Sequence, residues 1–223
     1  MSENKHKSPS CSQDLKKCHM EKKIEDSIVI NTNCPPADKQ TAAARRCPPV
    51  ELVRNGGFEQ PGIFTTFAYW DESTSNFEIR DFDHPYEGIE AASFLSGSSV
   101  NIELKSAVLS QEVSVTPGCY LVLSFADNFR RAAPQGFDGL NIRASVFYEE
   151  AGTRVNLIIV EIAYSAEGDQ AGQGYVFHQK ASDIPVPPNV TTVTVEFFVQ
   201  VRDAVPAAQS TQWLLDGVSL RAI

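Results

Sequence analysis

From Val193 to Val201 the odd positions are all apolar, Val193, Val195, Phe197, Val199 and Val201, while Thr194, Glu196 and Gln200 fall between them. A period of two places the odd set on one face of an extended strand and the even set on the other, so this stretch must lay one side of a sheet on a core. The same alternation recurs at Leu121, Leu123 and Phe125, and at Val113 and Val115 around Ser114. Turn chemistry divides the runs: Thr116-Pro117-Gly118, Pro134-Gln135-Gly136, Glu150-Ala151-Gly152 and Pro185-Val186-Pro187-Pro188. Helical periodicity is hard to find. Strands are expected over 76–83, 90–94, 99–104, 107–115, 119–126, 140–148, 155–164, 175–181, 191–202 and 212–221. About ten antiparallel strands, each with one apolar face, predict an all-β sandwich of two packed sheets.

That prediction covers residues 51–223 only. None of the 21 aromatic residues lies in residues 1–50, and a segment without aromatic anchors does not readily offset the entropy of its own ordering. Residues 1–50 are therefore read as a flexible or extended tail. Charge changes at the same place: the tail carries 9 Lys plus Arg against 6 Asp plus Glu, the body 10 against 22. An acidic body disfavours nucleic acid and anionic membranes as partners. No run approaches a membrane span, and the polar start MSENKHKSPS has no apolar segment of a secretory signal, so synthesis in the cytoplasm is expected.

Four of the five cysteines, Cys11, Cys18, Cys34 and Cys47, belong to the tail in this reading, and Cys119 to the body. No CxxC pair occurs, which argues against zinc despite His6 and His19. Two readings stay open for the tail thiols: free thiols on a mobile arm, or intermolecular disulfides that crosslink subunits at an oxidising surface. Cys119, inside the apolar run CYLVLSFA, reads as a small core residue.

The body opens with Val53-Arg54-Asn55-Gly56-Gly57-Phe58-Glu59 and closes with Trp213-Leu214-Leu215-Asp216-Gly217-Val218-Ser219-Leu220. Between them stands Ser110-Gln111-Glu112-Val113-Ser114-Val115-Thr116-Pro117-Gly118, followed by Tyr120. These three segments, in this order, resemble the galactose-binding-like jelly rolls of many non-catalytic carbohydrate-binding modules. The resemblance implies a structural calcium ion held by the entry Glu59 and the exit Asp216 with backbone carbonyls. Two carboxylates capping backbone amides would serve the same junction without metal. A nearer resemblance is to the β-sandwich domains of spore-surface (exosporium) proteins, which implies deposition on a spore surface. Here, however, no collagen-like repeat follows the sandwich.

Chemistry-bearing motifs are few. Asp81-Phe82-Asp83-His84-Pro85 reads as a solvated strand end before an acid–base or metal site, and His178 as a satisfied strand histidine before a catalytic base. There is no G-x-S-x-G, H-E-x-x-H, P-loop or G-x-G-x-x-G, so no enzyme is expected. For a glycan platform the candidate aromatics are Tyr69 and Trp70, followed by Tyr86, Phe137 and Tyr175, with Trp213 assigned to the core. Arg130-Arg131 is a basic spot suited to an acidic neighbour or simply to solvent. Two functions follow. One is a structural surface protein that joins copies of itself, or other surface-layer proteins, through the cysteine-bearing tail, with the Ile28-Val29-Ile30 run as a strand to insert. The other is a calcium-stabilised carbohydrate-binding module.

Overall fold

The computed structural model describes residues 47–96, 104–131, 137–164, 174–203 and 211–223; the side chains of residues 131, 137, 138, 202 and 203 are not described. Ten strands form: β1 Asp71–Ser75, β2 Phe77–Phe82, β3 Ala91–Ser96, β4 Leu104–Ser114, β5 Leu121–Arg131, β6 Phe137–Glu150, β7 Thr153–Tyr164, β8 Val176–Ala181, β9 Thr192–Asp203 and β10 Gln212–Ala222. They make two five-stranded sheets, a front sheet in the order β1-β4-β9-β6-β7 and a back sheet in the order β2-β3-β10-β5-β8. Every pairing is antiparallel. The expected β-sandwich is the fold.

The core is the alternation made physical. Val193, Val195, Phe197, Val199 and Val201 are at most 2% exposed, and β4 alternates buried with open residues along its length. Leu121, Leu123 and Phe125 of β5 meet them from the back sheet, fully buried. Two strands differ from expectation. The polar sequence Asp-Glu-Ser-Thr-Ser forms β1, an exposed edge strand whose partner is β4; with no apolar face to bury, it leaves no period-two signal. Of the expected 99–104 strand only Leu104, which opens β4, is among the described residues.

The entry segment closes the sandwich. Val218 donates its amide to the Gly56 carbonyl and Leu52 to that of Leu220, so the segment takes the place beside the second half of β10 that β3 takes beside the first. A Cβ on Gly56 would sit 1.9 Å from the Val218 carbonyl oxygen, which is why glycine stands there. Asn55, itself at φ 51°, binds the Gln60 amide and the Gln60 and Ala68 carbonyls and so folds the loop back on itself. That loop inserts Phe58, Phe67 and Trp70 into the interior. Phe58 lies 4.9 Å from Phe67 and 5.5 Å from Trp70, and Trp70 lies 6.4 Å from Phe197.

The body begins at Cys47, earlier than the aromatic boundary suggests, because Cys47 is disulfide-bonded to Cys119, 72 residues further on. Cys47 is thus not a free tail thiol. Cys119 is fully buried as expected, but as half of that bond. Cys11, Cys18, Cys34 and the Ile28-Val29-Ile30 run lie outside the described residues.

Candidate functional site

Each sheet leaves an outer face once the core is filled. On the outer face of the front sheet the register aligns Arg143 of β6 with Phe198 of β9 and with Glu161 of β7. One level along, Asn141 faces Gln200 and Ala163; on the other side, Ser145 faces Glu196, and Phe147 faces Thr194. This face is dished. One depression is lined by Asn141, Arg143, Glu161 and Phe198 with Ile142, Ile162 and Ala163, and a second by Glu112, Phe147, Tyr148, Glu149, Thr192, Val193 and Thr194.

Between the depressions a polar clasp fixes the surface. Arg154 donates to Glu196 at 2.7 Å and to the Ser145 hydroxyl, and its guanidinium lies 3.6 Å from the centroid of the Phe147 ring. Ser145 is buried beneath it although it points away from the opposite sheet. Arg143 lies over Phe198, 5.7 Å from the ring centre, and is itself exposed. An aromatic face, an amide, carboxylates and two guanidiniums on one dished surface form an apolar floor with a few polar fixtures.

The entry and exit carboxylates meet at the loop between β2 and β3. Asp216 Oδ2 accepts the amides of Tyr86 (2.7 Å) and Glu87 (2.9 Å) while Oδ1 accepts that of Gly217; Glu59 Oε1 accepts those of Ile89 and Glu90. Both therefore cap amides of one loop. Burial pushes the Asp216 carboxyl up to about 6, with Glu87 adding to it, although the three amides pull the other way. No ion pair neutralises Asp216 among the described residues, and a cation would favour its ionised form. Gly57 lies between the two, its would-be Cβ 3.8 Å from Glu59 Cγ and 3.9 Å from Asp216 Oδ1. Among the described residues no group of three or more His, Cys, Asp or Glu converges as a metal site, so a calcium ion here would need backbone carbonyls as further ligands.

The other sequence candidates scatter. Trp70 is a correction: it is 2% exposed, donates Nε1–H to the Asn55 carbonyl and belongs to the aromatic plug, so no sugar can stack on it. Tyr69 is exposed at φ 73° beneath Arg54. Tyr86 and Tyr175 come together beside Asp216, rings 5.7 Å apart, and Tyr175 donates to the His84 carbonyl. Burial, then the charge of Asp216, raises the Tyr175 phenol above its ordinary range. Phe137 opens β6. Arg130 lies across Phe82, and His84 pairs with its neighbour Asp83 at the surface.

His178 is satisfied, as expected, by a partner the sequence did not show. Asp127 is fully buried and accepts from His178 Nε2, Tyr164 OH and Trp213 Nε1, all at 2.6 Å. Burial, then this bond to Asp127, raises the Tyr164 phenol. The cluster ties β7 to β5, β8 and β10, and so one sheet to the other.

Phe198 and Arg143, at the centre of the dished face, belong to no motif in the sequence. One signal existed. Phe198 is the apolar residue at an even position of the β9 alternation, where Thr194, Glu196 and Gln200 are polar, so it had to face outward.

No family model matches the chain, and no curated protein does. Solved structures do match. The carbohydrate-binding module TmCBM61, in complex with β-1,4-galactotriose, is 17% identical over 78% of this chain and 99% of its own, with a TM-score of 0.50. A xylan-binding domain of CBM22 (13% identical, 79% and 97% covered, TM-score 0.44) and a CBM4 module (12%, 77% and 99%, 0.44) follow. At these identities the likeness is one of fold: a carbohydrate-binding-module-like β-sandwich.

Proposed function

We propose that residues 47–223 form a non-catalytic glycan-binding module whose recognition surface is the dished outer face of the front sheet. The observation that carries this reading is the placement of the outward-facing, half-buried Phe198 ring among Arg143, Asn141 and Glu161 in one depression. A ring of this kind receives the apolar face of a pyranose, and the polar groups around it bind hydroxyls. The fold, shared with a module solved in complex with β-1,4-galactotriose, supports the same reading. A calcium ion held by Glu59 and Asp216 at the entry–exit junction belongs to the proposal, as a support for the fold remote from the sugar.

The test is a glycan array followed by titration calorimetry on the best ligand. Phe198→Ala is expected to weaken binding about 5- to 30-fold, the loss of one stacking contact of about 1–2 kcal/mol. Absence of binding to every glycan on the array at millimolar concentration refutes the reading.

A second role, compatible with the first, is favoured by the cysteine count. Cys47 and Cys119 pair with each other, which leaves Cys11, Cys18 and Cys34, an odd number. Under oxidising conditions one of them has no partner within the chain, and we propose that it crosslinks the module to a second copy or to another surface-layer protein, as on a spore surface. Non-reducing electrophoresis of oxidised protein tests this: dimers that vanish in a Cys11→Ser, Cys18→Ser, Cys34→Ser variant are expected, and monomer alone refutes it.

A further inference from the structure

We infer that the depression around Phe198 is built for an anionic sugar, a uronic acid or another carboxylated residue of a polysaccharide, whose carboxylate is received by Arg143. The inference rests on the glycan reading above and names the ligand class for that site.

The two arginines of the face are used differently. Arg154 is spent on the protein itself, bound to Glu196 and Ser145 and lying on Phe147. Arg143 is presented. Its register neighbour on β7 is Glu161, yet among the described residues Arg143 makes no ion pair, and its one described partner is the Phe198 ring. A guanidinium held over an aromatic ring has already lost part of its orientation entropy, and it carries a planar fork of N–H groups. That fork matches a carboxylate with two parallel hydrogen bonds, a contact stronger and more directional than any a neutral hydroxyl offers.

Among the described residues Arg54 and Arg130 also lie over aromatic rings without an ion pair, so what sets Arg143 apart is its place in a depression that it shares with Phe198 and Asn141. A neutral sugar needs no cation: Asn141 and Gln200 on one side and Glu161 on the other supply donors and acceptors for hydroxyls. An acidic polymer meets repulsion from the body, which screening over about 8 Å at physiological salt confines to nearby groups; Glu161, level with Arg143 on β7, is one of these, and the charge-assisted contact with Arg143 has to outweigh it. The local contact with Arg143 then decides which sugar sits on Phe198.

The experiment compares three probes on the full chain by titration calorimetry: galacturonic acid oligosaccharides, the same oligosaccharides as methyl esters, and neutral β-1,4-galactan oligosaccharides. The acid form is expected to bind at least tenfold tighter than its ester, with the gap narrowing in 0.5 M NaCl. Arg143→Gln should erase the gap and Arg143→Lys keep part of it, and an unchanged melting temperature in each variant shows that the fold is intact. Equal binding of acid and ester, or an acid preference that survives Arg143→Gln, overturns the inference. If neutral galactan binds best and Phe198→Ala weakens it about 5- to 30-fold, the glycan reading stands and this one fails. If none of the probes binds and the array is also blank, both fail.

Discussion

Reduction of the Cys47–Cys119 bond is the perturbation whose size the structure specifies best. The bond joins residues 72 apart, and the chain-entropy relation for a loop of that length gives roughly 4 kcal/mol of stabilisation, exerted on the unfolded chain. For a domain of this size one kcal/mol moves the melting temperature by about 2–4 °C, so full reduction should lower it by about 8–16 °C. Cys119 is fully buried at the start of the strand region that carries Leu121, Leu123 and Phe125, so reduction also loosens the place where the back sheet begins. The assay is thermal unfolding by circular dichroism with and without a phosphine reductant, repeated on Cys47→Ala. The variant should melt where the reduced parent melts and should no longer respond to reductant. A reductant effect below about 3 °C in the parent, or alkylation of Cys47 in unreduced native protein, refutes the pairing and the placement of the domain start at residue 47.

Four further outcomes are expected. Asp127→Ala strands the donors of Trp213, Tyr164 and His178, at about 1–3 kcal/mol each, so urea unfolding should show a loss of at least about 3 kcal/mol, and Asp127→Asn, which keeps one acceptor, a smaller one. Asp216 titrates near 6 in the fold against 3.8 for the free group, so the folded state holds its proton more tightly; its stabilising contribution is complete below about 4 and is lost as pH rises through 6. In chelator, stability should therefore fall from pH 4 to pH 6.5 by this group's contribution, a fall that Asp216→Asn flattens in pH-dependent urea unfolding. Added calcium should raise the melting temperature at pH 7 in the parent and leave Glu59→Gln unmoved. Ile63 and Phe64, 91% and 99% exposed at the tip of the entry loop, contribute little to packing, and replacing both by Ser should change unfolding free energy by less than about 0.5 kcal/mol.

Much of the fold was legible because it depends on nearest neighbours along the chain. The alternation of β9 and the apolar run of β5 each specify a buried face whatever lies opposite, and the turn residues bound them. Asn55-Gly56-Gly57 is legible for a related reason: a backbone that approaches another at 1.9 Å from a would-be Cβ admits only glycine. Sequence could also separate the aromatic-free start from the body. It could not detect β1, since a polar edge strand is defined only by the ladder it makes with β4.

The functional residues were less legible, for a physical reason that Trp70 and Phe198 show together. An aromatic side chain has the same chemistry in a core and on a sugar-binding face, and which of the two it serves depends on what the tertiary structure puts over it. Asn55, Phe58 and Phe197 meet Trp70 and make it a plug; no described residue of the opposite sheet covers Phe198, which shares its depression with Arg143. The same holds for charge and sulfur. Asp127 gains its three donors from β7, β8 and β10, and Cys47 meets Cys119 across 72 residues, contacts that no local pattern encodes. Sequence alone therefore determined that this chain makes a two-sheet sandwich with an acidic body and an aromatic-free start. Tertiary structure decided which aromatics are interior, which cysteine the body claims and which arginine is left facing outward, because each is a relation between residues that only folding brings into contact.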